Sequence, residues 1–162
     1  MNVFEFAMQM EKDGEAFYRQ IADKTKNAGL RKIFTTLADE EVVHYNTFKK
    51  LFESTAVTAV ESNALAKAKN IFVEMKNSGG FDLSAETPQT EAYRKAMDAE
   101  KEAYTFYEKK AGETKVAAEK KILQAFAREE RRHYRLLEHV LEFVSRPDSW
   151  LEDAEFARLE EY

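Results

Sequence analysis

Apolar residues recur at three- and four-residue intervals in four separate stretches of this chain, the spacing of helices that bury one face. The first stripe runs Phe4, Ala7/Met8, Glu11, Tyr18 and Ile21/Ala22. The second holds Ile33/Phe34, Leu37/Ala38, Glu41, His44/Tyr45, Phe48 and Leu51/Phe52. The third is Tyr93, Ala96/Met97, Glu100, Ala103/Tyr104, Tyr107 and Ala111. The fourth is Ile122/Leu123, Phe126/Ala127, Glu130, His133/Tyr134, Leu137, Val140/Leu141 and Val144. The pattern predicts an all-α fold, an antiparallel four-helix bundle. It also places a glutamate inside every apolar stripe, and a histidine inside two of them, so these polar groups are expected to point into the core.

Breaks in the pattern set the organisation. Residues at one level of an antiparallel helix pair are equidistant from the turn. Glu11 and Glu41 are centred on position 26, beside Asn27 and Gly29, while Glu100 and Glu130 are centred on position 115, near Gly112. The chain therefore reads as a single domain over 1–162, with helical hairpins at 2–53 and 90–145. A long crossover over 54–89 joins helices two and three. It contains an amphipathic segment at 61–76, ended by Ser78-Gly79-Gly80, and Thr87-Pro88 signals the start of the third helix. After the break at Ser145-Arg146-Pro147, residues 146–162 are expected to form a short C-terminal helix anchored by Trp150.

The second hairpin repeats the first. Glu11 and Glu100, Glu41 and Glu130, and His44 and His133 are each 89 positions apart, as are Tyr18 and Tyr107. Shared helical periodicity accounts for matched apolar positions, but not for matched core glutamates and histidines, so the chain reads as an internal duplication.

Composition narrows the chemistry. With 5 Gly and 2 Pro, the sequence favours long helices. The absence of cysteine removes disulfides, thiol catalysis and thiolate-bound metal. A net charge of −5 argues against nucleic acid as a partner. No apolar run reaches the ~20 residues of a membrane span, and Met1-Asn2-Val3-Phe4-Glu5 lacks the pattern of a secretion signal. A cytoplasmic location is the expectation.

The candidate chemistry sits in Glu41-Val42-Val43-His44 and Glu130-Arg131-Arg132-His133. Residues three apart on a helix share a face, so each motif aims a carboxylate and an imidazole at one point. Glu11 and Glu100 add one carboxylate each from the other two helices. Unpaired buried carboxylates are costly, and no lysine or arginine falls in the four stripes to offset them. Two metal ions are the counter-charge that fits: four carboxylates and two neutral imidazoles balance two divalent ions. Carboxylate and imidazole ligands suit iron, with manganese as the alternative. Glu41 and Glu130 are expected to bridge, with Glu11, His44, Glu100 and His133 as terminal ligands. Tyr18 and Tyr107 are candidate catalytic residues, donating hydrogen bonds to a metal ligand or to bound peroxide; the competing reading makes them core aromatics. Glu40 and Glu129, preceding each motif, are candidates to orient an imidazole; each lies about 100° around the helix from the ligand glutamate, so a solvent-facing role is the expectation. His139, with no glutamate three positions before it, is expected at the surface or between helices.

Through this ligand series, the tyrosine seven residues after Glu11 and Glu100, and the crossover, residues 3–145 resemble ferritin-like di-iron carboxylate proteins. The resemblance is strongest to the di-iron domain of rubrerythrins. It implies an oxidoreductase that reduces hydrogen peroxide or dioxygen at two iron ions. Rubrerythrins usually add a rubredoxin-like domain with a four-cysteine iron. This chain has none, so an external donor such as a rubredoxin-like protein would supply electrons. A further rubrerythrin carboxylate, three residues after the third-helix ligand, is replaced by Ala103, with Gly14 at the matching place in helix one; Glu15 is its nearest stand-in, although a Glu15 in solvent or supporting a ligand is the favoured reading. A ferritin-like ferroxidase or iron-handling protein and a metal-free helical scaffold are the competing functions. A homodimer is compatible with the sequence.

Overall fold

In the computed structural model, described over residues 3–53, 86 and 89–146, helix α1 spans Val3–Lys24 and α2 spans Ala28–Glu53. Helix α3 spans Thr90–Glu113 and α4 spans Ala117–Ser145. No strand occurs among the described residues. The segment at 61–76, Trp150 and the short C-terminal helix lie outside them.

Local chemistry sets each turn. Helix α1 ends where Thr25 returns its backbone N–H and its hydroxyl to the Ile21 carbonyl, at 2.9 and 2.7 Å. Asn27 then caps α2, its side-chain oxygen accepting the Leu30 N–H at 3.0 Å. The second turn falls at Thr114–Val116; Gly112 remains helical, so that break lies two residues beyond the glycine that signalled it. Thr114 has an extended backbone, and its hydroxyl donates to Glu119 in the first turn of α4 at 2.7 Å.

Helices pack most closely within each hairpin, α1 on α2 and α3 on α4; across hairpins, α1 meets α3 and α2 meets α4. The buried Glu86 fixes where α3 begins. Its carboxylate accepts the backbone N–H groups of Lys26 and Asn27, at 2.8 and 2.6 Å, and the Tyr93 hydroxyl at 2.9 Å. The start of α3 is thereby tied to the α1–α2 turn, a helix length from the end of α2.

The duplication is visible in what each helix buries. Ala7, Glu11, Tyr18 and Ala22 of α1 recur as Ala96, Glu100, Tyr107 and Ala111 of α3. Helices α2 and α4 correspond likewise from Ile33 and Ile122 to Phe48 and Leu137. Two apolar layers result. One gathers Ile21, Phe34, Leu37, Tyr93, Leu137 and Phe143 near the first turn. The other gathers Ala7, Phe48, Tyr107, Leu123 and Phe126 toward the second. Each buried Leu, Ile or Phe contributes about 1.5–3 kcal/mol, which holds four helices at fixed spacing around the polar layer that separates the two.

Candidate metal centre

The intervening layer consists of the six residues singled out by spacing. Glu11, Glu41, His44, Glu100, Glu130 and His133 are all at most 5% exposed. Their ligand atoms form two overlapping groups. Glu11, Glu41, His44 and Glu130 offer atoms within 4.8 Å of one another, and so do Glu41, Glu100, Glu130 and His133. Glu41 and Glu130 belong to both groups; each remaining carboxylate belongs to one, beside one imidazole.

Both imidazoles present Nδ1 to the carboxylates. His44 Nδ1 lies 2.9 Å from Glu130, 3.2 Å from Glu11 and 3.9 Å from Glu41. His133 Nδ1 lies 3.3 Å from Glu41 and Glu130 and 3.4 Å from Glu100. These are close approaches, yet His133 Nδ1 and the Glu130 oxygen facing His44 lack hydrogen-bonding angles and count among the unsatisfied buried atoms. Among the described residues, no lysine or arginine pairs with any of the four carboxylates. Of the ring-nitrogen contacts, that of His44 Nδ1 with Glu11 is a hydrogen bond; the other acidic oxygens and ring nitrogens converge on shared points and leave several of their atoms unsatisfied, an arrangement suited to holding a cation.

Without a cation, protons take its place. Burial, followed by repulsion from Glu130 and Glu11, raises the Glu41 carboxyl well above its usual range. Burial and Glu130 likewise push Glu100 up to about 7. For the imidazoles burial acts in the opposite sense, but the surrounding carboxylates outweigh it and raise both His44 and His133. Burial also disfavours the Glu130 carboxylate, yet His44 and His133 overcome that and lower its pKa. A layer that has to collect protons to be neutral is one that two divalent cations neutralise directly.

Tyr18 and Tyr107 are buried, and each donates its hydroxyl across to the other hairpin, Tyr18 to Glu100 and Tyr107 to Glu11. Burial and then the accepting carboxylate raise both phenols, so they hold their protons as donors. Their position is that of groups orienting the two unshared glutamates. Glu15 takes no part: it pairs with Arg19 at 2.8 Å and is turned to the surface.

The expectation of solvent-facing Glu40 and Glu129 is overturned, since both are buried, at 7% and 4% exposure. Glu40 has a ligand atom within 4.8 Å of atoms of both His44 and His133. Glu129 pairs with Arg132 through one oxygen and leaves the other unsatisfied. The imidazoles stack with ring centres 5.4 Å apart and planes 11° from parallel, and the Nε2 atoms of both lack partners. Adjacency to each Glu-x-x-His was the available signal; the 100° offset misled because α2 and α4 bury faces wider than one stripe. His139, also placed by spacing alone, is buried on α4.

The carboxylates, but not the imidazoles, line a cavity of about 420 Å³ in the cleft between α1 and α3. It gives the centre a route to solvent. No helix among the described residues is long and apolar enough to cross a membrane. The rubrerythrin family model matches residues 2–141, and the chain belongs to that family. No curated protein and no solved structure matches it.

Proposed function

From this membership and the geometry of the polar layer, we propose that the protein is an oxidoreductase that reduces hydrogen peroxide, or dioxygen, at a two-iron centre. The observation that carries the proposal is the pair of overlapping carboxylate–imidazole groups sharing Glu41 and Glu130, with no lysine or arginine paired to their carboxylates among the described residues. Glu41 and Glu130 would bridge the two ions, Glu11 and His44 would complete one set of ligands, and Glu100 and His133 the other. When bound, a ferrous pair supplies the two electrons that cleave a peroxide O–O bond.

The chain's own residues do the rest. Tyr107 and Tyr18 fix the orientation of Glu11 and Glu100 through hydroxyl donation. Phe48 and Phe126, whose ring centres lie 3.9 Å apart, close one end of the layer, and Phe126 meets the His44 ring edge-on at 5.1 Å. The imidazoles are buried while the carboxylates line the cleft between α1 and α3, so a small oxidant would enter on the carboxylate side. No residue of this sequence is a cysteine that could hold a rubredoxin-type iron, so we assign the supply of electrons to a rubredoxin-like carrier.

Metal analysis of protein purified without chelator, followed by stopped-flow mixing of the reduced form with peroxide, tests the reading. Two irons per chain are expected, with rapid oxidation in a single turnover and continued turnover only when a carrier is added. Oxidation by peroxide no faster than in a Glu130→Ala variant would refute the enzyme reading. Rapid oxidation by dioxygen alone would replace it with oxidase or ferroxidase activity.

A further inference from the structure

We infer that the cleft between α1 and α3 admits a neutral organic hydroperoxide, R–O–O–H with a short apolar R group, as a substrate of the same centre. The inference rests on the proposed peroxide reduction and names the substrate class that the cavity selects.

Size is the first argument. Hydrogen peroxide is only slightly larger than a water molecule, whose share of liquid volume is about 30 Å³. The cavity measures about 420 Å³, within the range of about 300–1,000 Å³ of sites that enclose small organic ligands. Such space is made by absent side chains. Gly14 and Ala103, 89 positions apart, occupy equivalent places on the two walls, and Ala99 stands one turn before Ala103.

Chemistry is the second. Met10, Phe17, Ala99 and Ala103 give the cavity largely apolar walls, whereas the buried Glu11, Glu41, Glu100 and Glu130, with Tyr18, line its inner part. A molecule with an apolar body and one hydroperoxide end satisfies both parts. The exposed Asp13 and Glu102 also line the cavity, so an anionic substrate is repelled and a neutral one is not. The reaction is the two-electron one: the O–O bond breaks, two electrons come from the ferrous pair and two protons from solvent, and the products are R–OH and water.

Cumene hydroperoxide and its alcohol product, 2-phenyl-2-propanol, are suitable probes. Binding of the alcohol to the metal-free and zinc-loaded proteins is read by NMR line broadening, independently of turnover. Binding is expected in the parent protein and about tenfold weaker in Ala103→Leu. Ala99→Leu, a change at an exposed rim position, supplies a second obstruction should the first fail to fold. Equal binding in the parent and an obstructed variant would put the alcohol elsewhere and overturn the inference. In stopped-flow, cumene hydroperoxide should oxidise the reduced parent protein. Oxidation by hydrogen peroxide without oxidation by cumene hydroperoxide overturns this inference and leaves the proposed function standing. Failure with both overturns the two together.

Discussion

Replacing Gly14 by alanine should strengthen the metal-free protein and weaken the metal-bound one. Gly14 lies inside α1, where alanine is favoured over glycine by roughly 0.5–1 kcal/mol. The added Cβ would stand 3.3 Å from Glu41 Cδ and 3.5 Å from its Cγ and Oε2. Backbone and carboxylate have to separate by a few tenths of an ångström. The metal-free carboxyl can make that adjustment, but a carboxylate holding two ions at once has little freedom to do so. Displacing groups that orient a ligand costs about 10–100-fold in metal affinity, and the lower figure, about 1.4 kcal/mol, suits so small a shift. Subtracting the helix gain leaves the loaded protein roughly 0.5 kcal/mol less stable than the parent. Calorimetry of both forms, with a chelator competition for affinity, reads the sign directly. At about 2–4 °C per kcal/mol for a chain of this size, the metal-free melting temperature should rise by about 2 °C and the loaded one should fall. An equal rise in both forms, with unchanged affinity, would show that Glu41 is not held at the point of contact.

Other outcomes follow from the same layer. Glu41→Ala should lose both ions and His44→Ala should mainly weaken one, measured as metal per chain; two equivalents in Glu41→Ala would contradict bridging. Metal affinity should rise with pH through about 7, the range set by Glu100, because Glu41, Glu100, His44 and His133 hold protons that the ions displace. By the same sign, the metal-free fold binds more protons at these groups than the unfolded chain does. Its stability should therefore fall as pH rises through 7; the lowered Glu130 makes its contribution at more acid pH and does not alter that trend. Denaturant titrations at pH 6 and 8, with and without metal, check both statements. Glu40→Gln should keep two ions per chain but bind them about 10–100-fold more weakly, an effect that a chelator competition would detect.

Much of this arrangement was legible in the sequence because two periodicities coincide. The 3.6-residue helical repeat fixes which residues share a face, and the 89-residue offset fixes which faces are equivalent. Together they located four helices and brought Glu11, Glu41, His44, Glu100, Glu130 and His133 to one level. The second turn was less legible. Gly112 stays helical, and the chain turns where Thr114 becomes extended. Glu86 left no usable sign either: its burial depends on two backbone N–H groups 59 and 60 positions away, which only the assembled bundle brings near.

The cleft and the buried Glu40 and Glu129 arise from one cause, the unequal sides of the polar layer. Every helix contributes a carboxylate, but both imidazoles come from α2 and α4, where the larger rings and their neighbouring glutamates fill the space. Helices α1 and α3 carry Gly14 and Ala103 at the corresponding depth, so the carboxylate side is left open. The spacing of apolar residues along a single helix separates a buried from an exposed face. Spacing along one helix does not reveal that a position 100° from the ligands is buried where two imidazoles stack nearby, or that a position near the ligands is uncovered when both facing residues are small. Which side of a duplicated centre is sealed and which admits substrate is therefore a property of side-chain volumes paired across helices.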